Sequence, residues 1–177
     1  VLIVIDVQKG FLDKSWGRTN NINCEKNIKQ LLEIWQAKNY PIVIVKHDST
    51  SAESTLRPNQ IGNELQDGIA NKYDLLITKS VNSAFYGSPD LDNWLKTNNY
   101  NEIYICGITT NHCCETTARM AGNLGYSVKF VLDATRTFDT KDLDGRIVKA
   151  QDVYQMTATN LDGEFATVIM TKDVNFD

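Results

Sequence analysis

The chain lacks several features that would assign its class at once. No apolar stretch approaches the roughly 20 residues needed to span a bilayer, so nothing in it reads as a membrane segment. No basic run is present: 18 Lys and Arg are scattered against 22 Asp and Glu, for a net charge of -4. That balance argues against nucleic acid or an anionic membrane as partner. There are two histidines, His47 and His112, and four cysteines, of which Cys113 and Cys114 are adjacent. Cysteines so few and so placed make no disulfide framework, and a reducing, cytoplasmic setting is expected. Neither a G-x-G-x-x-G nor a Walker loop follows any apolar run, so a nucleotide site has no support. Repeats, low-complexity tracts and linkers are missing. No signal-peptide pattern is visible, although a chain that opens directly in a strand leaves room for a few earlier residues.

What is present is ordinary for a globular protein, with 42% hydrophobic and 23% charged residues. A length of 177 residues suits one domain, 1–177, with a core of its own. Apolar runs alternate with helical periods. Leu2-Ile3-Val4-Ile5, Ile42-Val43-Ile44-Val45, Leu75-Leu76-Ile77, Ile103-Tyr104-Ile105-Cys106, residues 128–132 and Thr167-Val168-Ile169-Met170 read as six strands. Ile28, Leu31, Leu32 and Trp35 mark one helix stripe, and Leu91, Trp94 and Leu95 another. Ser88-Pro89-Asp90 reads as a helix start with Ser as N-cap and Pro in the first position. Residues 153–161 read as a further helix, residues 47–68 as a long loop, and Gly125 as the glycine that ends a helix. Near-continuous β-branched strands alternating with helices predict an α/β/α layered domain whose sheet is mostly parallel and covered on both faces.

In such a sheet ligands bind beyond the carboxyl ends of the strands. Asp6 and Gln8 follow the first strand, Lys79 the third, and the segment Gly107-Ile108-Thr109-Thr110-Asn111-His112-Cys113 the fourth. A carboxylate, an ammonium and a thiol thus arrive at one edge. A cysteine at a strand-to-helix junction lies at the positive end of a helix, which is expected to lower its pKa and favour the attacking thiolate. Cys113 would attack a carbonyl carbon while Asp6 takes its proton and later passes it to the leaving group. Lys79 would stabilise both charges, and backbone N–H groups of residues 107–113 would face the oxyanion. Asp133 is read as ordering a neighbouring loop, and Trp35 and Trp94 as core.

Four ordered blocks then carry a family resemblance. They are Ile5-Asp6-Val7-Gln8 with Phe11; Lys79 with Ser83-Ala84-Phe85; Gly107-Ile108-Thr109-Thr110-Asn111-His112-Cys113 with Thr117-Ala118-Arg119; and Gly125-Tyr126 with Asp133-Ala134. The chain resembles the isochorismatase-like cysteine hydrolases, a branch related to nicotinamidases and N-carbamoylsarcosine amidases. The resemblance implies a Rossmann-like sheet and an Asp–Lys–Cys triad, here Asp6, Lys79 and Cys113. Counting from Thr110 selects Cys113 over Cys114, which stands where an apolar residue is usual. It also implies a cis peptide bond at Ile108-Thr109, with the N–H groups of Thr109 and Cys113 as the oxyanion hole.

Nicotinamidase-like members bind a metal through an Asp-x-His pattern after the second strand and a further histidine. Here that segment reads Lys46-His47-Asp48-Ser49, and the other histidine adjoins the nucleophile. No catalytic metal and no cofactor are therefore expected. Gln8, Phe11, Trp16, Phe85, Tyr86 and His112 are expected to wall a pocket for a small molecule. A retained cysteine favours hydrolysis of an amide C–N bond through a thioester. Cleavage of a vinyl ether, as in isochorismatase proper, is the alternative; a ligand-binding or redox-sensing protein on the same fold is an alternative of another class. The family further implies a homo-oligomer, a dimer or larger.

Overall fold

A computed structural model of the chain describes residues 1–176. The elements run β1 (Leu2–Ile5), α1 (Cys24–Lys38), β2 (Ile42–His47), β3 (Leu75–Lys79), α2 (Leu91–Thr97), β4 (Glu102–Ile108), α3 (Glu115–Asn123) and β5 (Ser127–Arg136). A small hairpin, β6 (Thr140–Lys141) and β7 (Ile147–Val148), then precedes α4 (Ala150–Leu161) and β8 (Thr167–Ile169). Six strands form one sheet in the order β3-β2-β1-β4-β5-β8, and every pair in it is parallel. The two-residue strands of the hairpin were not legible as a periodic pattern.

Alternate strand residues serve opposite faces. Leu2, Val4, Ile42, Ile44 and Tyr104 pack with Ile28, Leu31, Leu32 and Trp35 of α1. Ile3, Ile5, Val43, Val45 and Ile103 pack with Leu91 and Leu95 of α2, Ala118 and Ala121 of α3, and Tyr154 and Leu161 of α4. The result is three layers with the sheet in the middle. No helix among the described residues is long and apolar enough to cross a membrane.

Two local expectations need correcting. The strands extend past their apolar runs, to His47, Lys79, Ile108 and Arg136. Backbone pairing continues there, with His47 opposite Lys79 and Ile108 opposite Arg136, because ladder hydrogen bonds do not depend on side-chain polarity. Asp133 consequently lies inside β5, where Oδ1 accepts from both the N–H and the hydroxyl of Thr171 and so does order a neighbouring turn. The second correction is the start of α2. Asp90, not Ser88, is its N-cap and accepts from the Asn93 N–H at 2.9 Å, while Ser88-Pro89 is a cis bond outside the helix. Asp90 caps as well as serine does and stands two residues nearer the apolar stripe.

Candidate active site

The strand order reverses between β1 and β4, the place where open α/β sheets build their sites. Asp6 is the first residue past β1 and has φ +52, a left-handed conformation that Asp tolerates better than most residues. It turns the chain sharply and leaves the carboxylate wholly buried. One strand away, Gly107 pairs with Ile5 at φ +133, and a Cβ there would lie 2.0 Å from the Ile5 carbonyl oxygen. Only glycine permits β1 and β4 to approach so closely at the point where both deliver the site. The peptide bond that follows Ile108, Ile108-Thr109, is cis, as the resemblance implied.

After it the chain makes one wide turn, Thr110–Cys114, before α3 begins. The Cys114 N–H reaches five residues back to the Thr109 carbonyl at 3.2 Å, the π-type spacing that recurs at functional sites. Cys113 lies in this turn and is buried, as is Cys114. Among the described residues all four cysteines are free thiols.

Lys79 ends β3, two strands from β1, and its side chain crosses the end of β2 to reach Asp6. Its ammonium donates to Asp6 Oδ2 at 2.5 Å and to Cys113 Sγ at 3.4 Å, and lies 3.1 Å from His47 Nδ1. Lys79 is 2% exposed and Asp6 0%, so this is a buried ion pair with a thiol against it. Asp6 Oδ1 has no hydrogen-bond partner, and neither does the buried hydroxyl of Thr109. Cys113 Sγ also lies 3.7 Å from Asn82 Oδ1. Asn82 is placed by the docking of residues 83–86 on α3: the Ala84 N–H donates to Thr117 Oγ1 at 3.1 Å, and Ser83 caps the turn through the Phe85 N–H.

Burial sets the protonation states. It pushes the Asp6 carboxyl up, against the opposing pull of Lys79. Burial alone would lower the Lys79 ammonium, but Asp6 and then Cys113 outweigh it, so the net shift is upward. The Cys113 thiol is pushed up by burial first and the Asp6 charge second, with Lys79 opposing. This direction runs against the lowering expected from the helix end. Cys113 sits four residues into the helical segment rather than at its mouth, and the enclosure that excludes water disfavours a second negative charge beside Asp6. These directions favour the thiol form of Cys113 beside the Asp6–Lys79 pair.

The other anticipated pocket residues divide. Gln8 is fully buried, and its amide is engaged by backbone: Nε2 donates to His47 O and Asn63 O at 2.9 Å each, and Oε1 accepts from the His47 N–H at 2.8 Å. It is a brace for the end of β2 and offers no group to a ligand. Phe11 is buried against Trp16 and Phe138, with ring centroids 4.8 and 6.2 Å away. Trp16 is half-buried and borders a recess of about 430 Å³ together with Ser49, Ser54 and Thr55. Phe85 packs in the apolar cluster that includes Cys113, stacked on Tyr126 at 5.9 Å. Tyr86 is 72% exposed and His112 also faces solvent, so neither is enclosed with the thiol. Asn82 and Asn63 were missed. Asn82 stood only three residues after Lys79, a spacing that could have singled it out; Asn63 carried no signal in its loop.

Asp6, His47 and Cys113 each offer a donor atom within 4.8 Å of the others, a metal-like spacing. The Lys79 ammonium, in contact with all three, occupies that space and supplies the positive charge. Asp48 faces elsewhere, accepting from Asn63 Nδ2 at 2.9 Å with Lys46 at 3.5 Å. These residues do not fit a metal ion.

The sequence model of the isochorismatase domain matches residues 1–172. YrdC, an uncharacterised isochorismatase family protein of Bacillus subtilis (strain 168), is 38% identical over 96% of this chain and 91% of its own length. Nicotinamidase 3 of Arabidopsis thaliana is 26% identical over 95% of this chain and 83% of its own. Among solved structures, an isochorismatase family protein from Chromobacterium violaceum ATCC 12472 superposes with a TM-score of 0.91. It is 36% identical and covers 97% of this chain and 89% of that one.

Proposed function

The chain belongs to the isochorismatase family of hydrolases, and from that premise we propose that it hydrolyses a small non-peptide amide through a Cys113 thioester. The observation that carries the proposal is the enclosure of Cys113 Sγ, the Lys79 ammonium and the Asp6 carboxylate in one contact group, with Asp6 Oδ1 unpartnered. Similarity to a nicotinamidase supports an amide as the substrate class.

As Sγ bonds to the carbonyl carbon, its proton passes to Asp6, so the thiolate exists only while attack proceeds. Lys79 stays an ammonium and keeps the total charge of the enclosed group constant through this transfer. The backbone N–H groups of Thr109 and Cys113 receive the developing oxyanion. When the C–N bond breaks, Asp6 returns the proton to the nitrogen and the amine leaves. Water then attacks the thioester, giving its proton to Asp6. The C–S bond breaks, the acid is released, and the thiol recovers its proton. No step uses a metal.

The test is denaturing mass spectrometry during turnover across a panel of nicotinamide, carbamoyl and ureide amides, with and without chelator. An acyl adduct confined to Cys113, absent in Cys113→Ala and unaffected by chelator, is expected. Full amide turnover by Cys113→Ala would refute the reading. Retained cleavage of a vinyl ether by that variant would favour the isochorismatase-type reaction. Absence of both turnover and an acyl adduct on every substrate would favour a binding protein.

A further inference from the structure

We propose that His47 is a positioning residue for Lys79: its imidazole Nδ1 takes the third N–H of the ammonium and aims the other two at Asp6 and Cys113. This role rests on the triad reading above. An ammonium carries three N–H donors and no acceptor, and the Lys79 Nζ has three acceptor atoms around it: Asp6 Oδ2 at 2.5 Å, His47 Nδ1 at 3.1 Å and Cys113 Sγ at 3.4 Å. All three donors are thereby used, which fixes the rotation of the head group on a side chain otherwise rich in rotamers.

The fold holds His47 to this task from both sides. It is the register partner of Lys79 across β2 and β3, so the two side chains leave neighbouring strand ends together. Its backbone is clamped by Gln8, which bonds both its N–H and its carbonyl. Asn63 Nδ2 adds a second donor to that carbonyl at 3.0 Å. A buried glutamine that engages both backbone groups of one residue is well explained if the placement of that residue matters.

An imidazole nitrogen facing an ammonium must present its lone pair, so His47 is neutral with its proton on Nε2. The charged groups around it are Asp6 from the end of β1, Lys79 from β3 and Asp48 beside it in the chain, with the Cys113 thiol completing the group. Burial and Lys79 disfavour the imidazolium, against Asp6 and Asp48. Protonating Nδ1 would set two N–H groups head to head and swing the ammonium off the thiol. Activity should therefore fall on the acid side as His47 charges.

The chain contains only two histidines, so nitrogen-15 spectra of the unsubstituted protein can separate their rings. His47 should appear as the neutral Nε2–H tautomer and titrate below the ordinary histidine range. An Nδ1–H tautomer, or titration at or above that range, would overturn the proposal even if no variant folds. The second arm is the pH dependence of Cys113 alkylation by iodoacetamide, which needs no amide substrate. His47→Asn, whose Oδ1 falls near the Nδ1 position, should stay within about threefold of the parent rate at neutral pH and lose the acid break that coincides with His47 titration. His47→Leu should fall about tenfold or more, as expected for a lost hydrogen bond to a charged group. Equal losses in the two variants, or an acid break that persists in His47→Asn, would refute the anchor. A correct tautomer and rescue by Asn without amide turnover would instead count against the amidase reading alone.

Discussion

Replacing Lys79 by Met keeps the stem and removes the ammonium, which isolates the electrostatic part of the site. Asp6 Oδ2 then loses its partner, while Oδ1 has none to begin with, and both side chains are shut away from water. Removing one member of a buried ion pair costs about 3–5 kcal/mol while the survivor stays charged. Asp6 can escape by taking a proton. Burial already holds its pKa above the ordinary value, and Lys79 is the chief influence pulling it back, so in the variant it rises further. A group neutral in the folded state but ionised in the unfolded state makes stability fall by about 1.4 kcal/mol per pH unit as pH rises. The deficit relative to the parent should therefore widen upward in pH, across the window where the parent Asp6 is ionised and the variant one is not. Urea unfolding of both proteins at half-unit steps from pH 5 to 8 measures this directly. At about 2–4 °C per kcal/mol for a chain of this size, the neutral-pH deficit should also appear as a melting shift of roughly 10 °C. A deficit that is constant with pH, or that shrinks as pH rises, would refute the assignment of Lys79 as the counter-charge of Asp6.

Two further outcomes follow from packing. Gly107→Ala sets a Cβ 2.0 Å from the Ile5 carbonyl at a backbone φ of +133 and should destabilise by at least about 3 kcal/mol; a variant melting within 2 °C or so of the parent in a thermal scan would contradict the close β1–β4 approach. Cys114→Val, at a fully buried position in the same turn, should cost less than about 1.5 kcal/mol and leave Cys113 alkylation intact. Loss of alkylation in that variant, read by peptide mass mapping, would reverse the choice between the two thiols.

Much of the fold was legible in the pattern alone. Six apolar runs alternating with helical stripes point to parallel strands with helices on both faces, because a strand buried on both sides is apolar throughout and parallel neighbours need helical crossovers. The ends of strands were less legible. His47, Lys79 and Arg136 belong to the ladder through backbone bonds that no hydropathy pattern records. The start of α2 was misplaced for a similar reason, since Ser88 and Asp90 are both competent caps and only the folded backbone shows which one the helix uses.

For the site, residue type and position brought Asp6, Lys79 and a cysteine to one sheet edge, and the family resemblance then implied them as a triad and selected Cys113 over Cys114. Only the tertiary structure could decide what surrounds them. Burial depends on every neighbour at once, and it pushes the Cys113 thiol up where the helix end alone would lower it, and makes Gln8 a brace. It also placed Phe85 in the core while leaving Tyr86 and His112 open to water. His47 makes the same point: in the sequence it stood out only as one of two histidines too few for a metal site. Folded, it ends the strand next to the one that delivers Asp6, against an ammonium whose charge fills the space a metal would need.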